Sequence, residues 1–244
     1  MEDRCKVRRP SCASSRTEQR YLNPTGLSPT SCPATTRRRI TRALLIVVSA
    51  VVAALAVFAL WWRRNPSACP YGLRFFVGLP HPFITRGRLR EILTPELGER
   101  VLEVGPGAGY YVLPVARWLE PGGTLDVLDV QQKMLDSVAR RAAGAGITNV
   151  VPTQADAQAL PYPDASFDAA YLTLVLGEIP DQERALGELR RVLKPDGRLV
   201  VGELLGDPHY VPFGALRERV ETAGLAFERR VGGTPGYFAR FRAS

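Results

Sequence analysis

Histidine and cysteine are scarce in this chain of 244 residues, which holds two of the first and four of the second. Cys5, Cys12, Cys32 and Cys69 make no C-x-x-C pair, and the N-terminal stretch around the first three is too loose to argue a disulfide framework. No metal-ligand set is expected either. Basic charge is missing from most of the chain as well. The formal net charge is +8, but residues 1–42 carry ten Lys or Arg against Glu2, Asp3 and Glu18, which leaves +1 for everything from Ala43 onward. A domain that tracks phosphates carries its basic excess on the domain itself, so no nucleic-acid partner is expected for the folded part. The arginines of the tail can still touch anionic lipid or nucleic acid. Residues 1–42 also lack any apolar period and are rich in Ser, Thr, Pro and Arg, a composition that cannot repay the entropy of ordering. They read as a disordered basic tail.

The next segment is the tail's opposite. Ala43 to Trp62 runs twenty residues without a charge, with Ser49 its one polar side chain. At about 1.5 Å per residue such a helix spans about 30 Å, so a single transmembrane helix is predicted over 43–62. Arg42 on one side and Trp61, Trp62, Arg63 and Arg64 on the other suit an interface. A cleaved signal peptide is the competing reading, opposed by the long polar segment ahead and by the length of the run. Arginines flank the run on both sides, so charge alone does not orient it. Cys69 lies close enough to invite lipidation, or is an inert thiol. Residues 63–98 read as a linker rich in Pro, Gly and aromatics, then a short helix over Phe83–Leu93 that sets Ile84, Leu89, Ile92 and Leu93 among Arg86, Arg88 and Arg90. Its basic face either leans on anionic headgroups or is solvated while the apolar face packs on the domain.

The chain from 99 to 244 is organised around Val101 to Gly109, VLEVGPGAG. A buried strand broken by glycines and followed by a helix is the nucleotide-binding corner of a doubly wound α/β sheet. Glycine at 105, 107 and 109 lets the main chain turn sharply and approach a ligand, and the next helix start offers unpaired N–H groups. The dinucleotide pattern G-x-G-x-x-G would need glycine at Tyr110. The loop is instead G-x-G-x-G with Glu103 two residues ahead. It resembles the first motif of the class I S-adenosylmethionine-dependent methyltransferases.

Four later segments carry the same resemblance. TLDVLDV ends on Asp129, and an acid there can accept the ribose hydroxyls of an adenosine, Asp126 being the weaker candidate. LDVQQKML places Met134 where the family covers the adenine. The run from Ala155 resembles the family's D-A, L-P-F, D-x-S-F-D stretch, in which Asp156 and the N–H of Ala157 hold the adenine edge. Phe167–Leu176 reads as a buried strand, and Asp181–Leu193 as an amphipathic helix ending in the family's L-K-P-D-G turn into a fifth strand. Leu225–Val231 and Tyr237–Arg242 read as a hairpin. The resemblance implies a Rossmann-like, seven-stranded sheet with an antiparallel last strand, here preceded by one transmembrane helix.

It also implies S-adenosylmethionine as cofactor, with Glu103, Gly105, Gly107, Gly109, Asp129, Met134, Asp156 and Ala157 as its binding residues. The expected activity is methyl transfer to a small-molecule or lipid acceptor by a membrane-anchored, single-pass protein whose catalytic domain faces the cytosol, where the cofactor is made. The Asn-Pro-Pro-Tyr loop of amino-DNA methyltransferases is absent; that position reads LVLGEI. Ligands of open α/β sheets bind beyond the C-terminal strand ends, which puts Glu178 and the run GELLGDPHY, with Glu203, Asp207, His209 and Tyr210, opposite the methyl group. Histidine titrates near neutral pH, so His209 is the candidate base, with Glu178 and Tyr210 beside it. Asp207-Pro208 also suffices for a plain turn with a solvated His209. A nucleotide-binding oxidoreductase and a non-catalytic binding module are the competing readings.

Overall fold

Successive residues of a strand point to opposite faces of its sheet, and this alternation sorts the core of the chain into two layers. In the computed structural model, which describes residues 33–73 and 81–243, β1 (Arg100–Val104) sends Val101 to one face and Leu102 and Val104 to the other. Leu102 and Val104 join the core under α5 (Gln182–Val192) and α6 (Phe213–Thr222), through Leu186, Leu189, Leu216 and Val220. Val101 joins the core under α2 (Arg86–Leu93), α3 (Val112–Trp118) and α4 (Gln132–Gly144), through Leu89, Ile92, Val115 and Val138.

The other strands are β2 (Thr124–Asp129), β3 (Val150–Gln154), β4 (Phe167–Thr173), β5 (Leu193–Leu204), β6 (Leu225–Gly233) and β7 (Gly236–Ala243). They form one sheet of seven in the order β3-β2-β1-β4-β5-β7-β6. The first five pair in parallel, and β7 inserts antiparallel between β5 and β6. This is the expected Rossmann-like sheet with its antiparallel last strand. The strand order reverses between β1 and β4, and a crevice opens there beyond the strand ends.

α2 packs on the domain. Ile84, Leu89, Ile92 and Leu93 are all fully buried. Thr85 caps the helix by accepting from the Arg88 N–H. The carbonyls at its C-terminal end accept from Arg198 at Leu93 and from Arg240 at Ile92.

α1 runs Pro33–Arg64, thirty-two residues, and takes Arg37, Arg38, Arg39, Arg42, Arg63 and Arg64 into one helix with the apolar run. Among the described residues no helix is long and apolar enough to cross a membrane. The transmembrane helix expected over 43–62 is corrected accordingly, and with it the single-pass membrane localisation. The charge-free stretch is the middle of a longer helix that carries arginines at both ends. Leu44, Leu55 and Phe58 on it are exposed. Residues 1–32 of the expected tail lie outside the described residues, whereas 33–42 are helical. By internal contacts the chain divides into two units, 1–52 and 53–244. The second holds the whole sheet and the crevice at its strand ends.

Candidate active site

A cleft of about 740 Å³ opens beyond the C-terminal ends of β1, β2, β4 and β5. On one bank β1 gives way to Gly105 and Gly107, both at positive φ. A Cβ on Gly105 would run into the Val175 side chain, which follows β4, so the loop passes close to that neighbour only as glycine. Both glycines line the cleft; Gly109 does not. A Cβ on Gly109 would meet Val138 of α4 at 3.3 Å, so this third glycine serves close packing of loop on helix.

Asp129 ends β2 at the cleft wall and is 9% exposed. Its Oδ1 accepts from the Gln131 N–H at 2.8 Å, and burial pushes its carboxyl up from the usual range against that hydrogen bond. Met134, on α4, closes the cleft from the side and is buried. Asp156 and Ala157 line the cleft after β3. The exposed Asp156 carboxylate is gripped by the Gln158 amide at 3.0 and 2.8 Å. Asp126 stays out of the site, because Arg100 holds it in a bidentate pair at 3.0 and 2.8 Å.

Glu103 stays out as well. It shares its face with Val101, and its carboxylate accepts a short hydrogen bond from the Tyr171 hydroxyl inside the core under α2, α3 and α4. Burial raises its carboxyl to about 8. It is 2% exposed and absent from the cleft lining.

The other bank is acidic. Glu178, Asp207 and His209 line it together. Burial, with Asp207 and Asp129 nearby, raises the Glu178 carboxyl to about 8 against the hydrogen bond it accepts from the Cys69 N–H. Asp207 accepts from the His209 N–H at 2.7 Å, the Asx turn legible in D-P-H. His209 is 8% exposed rather than solvated. Its backbone lies directly on Gly177, where a Cβ would overlap the His209 carbonyl. Tyr210 turns away, edge-on to Tyr237, and lines a small groove with Gln182 and Arg219. Glu203 is buried behind this bank, accepts from the Val211 N–H at 3.1 Å, and is likewise raised to about 8 by burial.

Sequence reasoning missed residues 67–69 and Gln131. Ser67, Ala68 and Cys69 line the cleft from outside the sheet, and the Gln131 side chain donates to the Cys69 carbonyl at 2.9 Å. The signal was faint, since contacts spanning 62 and 109 residues leave no local pattern. The Cys69 thiol is half-buried, and burial with Glu178, Asp207 and Asp129 raises it to about 11, which keeps it mostly protonated at neutral pH. Among the described residues no His, Cys, Asp and Glu group could hold a metal ion.

Residues 102–201 match the family described as the methyltransferase domain. A stretch of 107 residues is 36% identical to the ubiquinone/menaquinone biosynthesis C-methyltransferase UbiE of Saccharophagus degradans, covering 43% of this chain and 43% of that one. Another, of 139 residues, is 34% identical to the 27-O-demethylrifamycin SV methyltransferase of Amycolatopsis mediterranei, covering 56% of this chain and 50% of the relative. The chain thus spans about half or less of the length of these curated relatives. A solved structure of an S-adenosylmethionine-dependent methyltransferase from Aquifex aeolicus superposes with a TM-score of 0.67 at 20% identity, over 72% of this chain and all of that one. That likeness is one of fold.

Proposed function

We propose that the chain, whose residues 102–201 match the methyltransferase domain family, moves a methyl group from S-adenosylmethionine to a hydroxyl-bearing small molecule, an aromatic ring of the quinol kind being the favoured acceptor. One observation carries this reading. A single cleft has the glycine turn, Asp129, Met134 and Asp156 on one bank and half-buried Glu178 with His209 on the other. At about 740 Å³ the cleft lies within the range of small-ligand sites.

The residues present fit the cofactor. Gly105 and Gly107 keep the loop free of side chains that would fill the cleft, Asp129 can accept the ribose hydroxyls, and Met134 offers an apolar flank to the base. Asp156 and the Ala157 N–H, which line the same bank, would take the adenine edge, Asp156 by exchanging its Gln158 contact. Bound there, S-adenosylmethionine supplies an electrophilic methyl on a sulfonium, so the chain's own work is alignment, exclusion of water and one proton. Glu178, with its carboxyl near neutral, would take the proton of the acceptor hydroxyl so that a ring carbon becomes nucleophilic, and return it to the oxygen as that carbon, once methylated, loses its own proton to solvent and the ring regains aromaticity, one proton being released in all. His209 flanks it on the Asp207 turn. Glu103, Gly109 and Tyr210 lie outside the cleft lining.

The quinol preference draws on the relative named for ubiquinone and menaquinone biosynthesis, and the rifamycin relative also names a small-molecule acceptor. Titration calorimetry of the chain with S-adenosylmethionine, beside NADH, tests the donor, and transfer of label from methyl-labelled S-adenosylmethionine to a reduced naphthoquinone tests the acceptor. Binding of NADH without response to S-adenosylmethionine would overturn the reading. Binding without transfer to any acceptor would favour a non-catalytic module.

A further inference from the structure

Most of the cleft wall consists of strand ends and the loops they lead into, where this fold places its ligands. Residues 67–69 and His81 are different, because they come from the segment between α1 and α2 and belong to no strand. Pro66 and Pro70 bracket residues 67–69. Proline has no N–H and biases the residue before it toward extended backbone, so this piece is kept out of helices. Cys69 is the residue before Pro70, and both its backbone groups are used. Its N–H donates to Glu178 Oε2 at 3.1 Å, and its carbonyl accepts from Gln131 Nε2 at 2.9 Å.

The two partners stand on opposite banks. Gln131 follows β2, and its own N–H is bound to Asp129 Oδ1 at 2.8 Å. Glu178 follows β4. The segment therefore ties the bank assigned to the donor to the bank assigned to the acceptor. It also occupies the carboxylate assigned to the acceptor's proton.

We infer that residues 67–69 form a strap latched over the bound donor, that Gln131 is the positioning residue holding the latch on the donor side, and that the acceptor hydroxyl gains Glu178 by displacing the Cys69 amide. The strap rests on the chain being a methyltransferase. A latch of two separate hydrogen bonds suits such a cycle. Each bond shifts an equilibrium by about two- to tenfold, enough to hold the strap and little enough to release it once per turnover. The acceptor hydroxyl replaces the amide as hydrogen-bond donor, so the half-buried carboxylate keeps a partner throughout.

Cys69 reports on its own strap. In the full chain carrying Cys5→Ser, Cys12→Ser and Cys32→Ser, alkylation of Cys69 by N-ethylmaleimide should be slow and should slow further with saturating S-adenosylmethionine. Gln131→Ala should speed it about two- to tenfold and remove the protection by S-adenosylmethionine. Gln131→Met, which keeps the bulk and loses the donor, should behave like Gln131→Ala, whereas a packing role would leave it like the parent. Calorimetry on the same samples separates failure of the strap from failure of the methyltransferase reading. If S-adenosylmethionine binds but neither it nor the Gln131 variants change the alkylation rate, the strap is overturned and the methyltransferase reading stands; if it does not bind, both fall.

Discussion

Asp129 and Glu178 are both carboxylates in one cleft, and burial pushes both upward, yet their partners give them different work. Asp129 sits at a strand end with a backbone N–H on one oxygen, an arrangement that favours a fixed acceptor. Asp129→Ala should weaken S-adenosylmethionine binding by about 1.5–3 kcal/mol, the range for hydrogen bonds to a charged group. Calorimetry would then read a rise in Kd of about 10- to 100-fold, and an unchanged Kd would remove Asp129 from the donor site. Glu178 has its carboxyl near 8 and is a base only when ionised, so the turnover rate should climb as pH rises toward 8. Glu178→Gln should lower kcat by about 10²–10⁴ and abolish that limb of the pH profile while donor affinity holds. If His209 is the base instead, kcat is kept in Glu178→Gln and His209→Ala carries the loss.

The elements show where the sequence was legible. Glycine loop, strand-end acid and Asp156 are each local patterns, and the structure brings Gly105, Gly107, Asp129, Met134, Asp156 and Ala157 to one cleft. Glu103 belonged to the same motif but points into the core. Alternation along β1 already placed it on the face of Val101, yet no pattern in the sequence named Tyr171 as its partner. α1 departs from expectation as well, since the run over 43–62 is the middle of a helix that extends from Pro33 to Arg64. α2 left two readings open because its arginines and its Leu and Ile residues are equally periodic. Residues far along the chain decided between them: Arg198 and Arg240, on β5 and β7, reach the carbonyls at its C-terminal end, where positive charge is favoured. Arg198 also pairs with Glu99 where both are nearly buried. The start of α2 rests on one side chain, and Thr85→Ala should cost about 1 kcal/mol in urea unfolding. Thr85→Ser should restore most of that, and a Thr85→Ala chain as stable as the parent would show the cap to be idle.

Across the whole molecule, Glu103, Glu178 and Glu203 are held near 8, each chiefly by burial. Unfolded, a glutamate titrates near 4.3. Between those values the folded chain binds protons that the unfolded chain has lost, so stability falls as pH rises from about 4.5 to 8. Other carboxylates act in the opposite sense. Arg191 holds Glu188 below its ordinary range, and Lys194 does so for Asp168 against the effect of burial. Their stabilisation is present above the unfolded value and is lost as pH falls through their lowered ones. The raised set therefore makes stability fall as pH rises above about 4.5, and the lowered set makes it fall as pH drops below the ordinary carboxylate range. Glu103 is the clean probe, because it lies in the core and outside the cleft. One group held this way contributes up to about 1.4 kcal/mol per pH unit, or about 3–5 °C of Tm for a domain of this size. Thermal unfolding of the full chain should therefore show Tm dropping between pH 5.5 and 7.5. Glu103→Gln, which cannot ionise and can still accept from Tyr171, should reduce the slope by about that amount and raise Tm most at the alkaline end. Parallel Tm curves for the variant and its parent would show that Glu103 is ionised in the native core, and the slope would then belong to Glu178 and Glu203 alone.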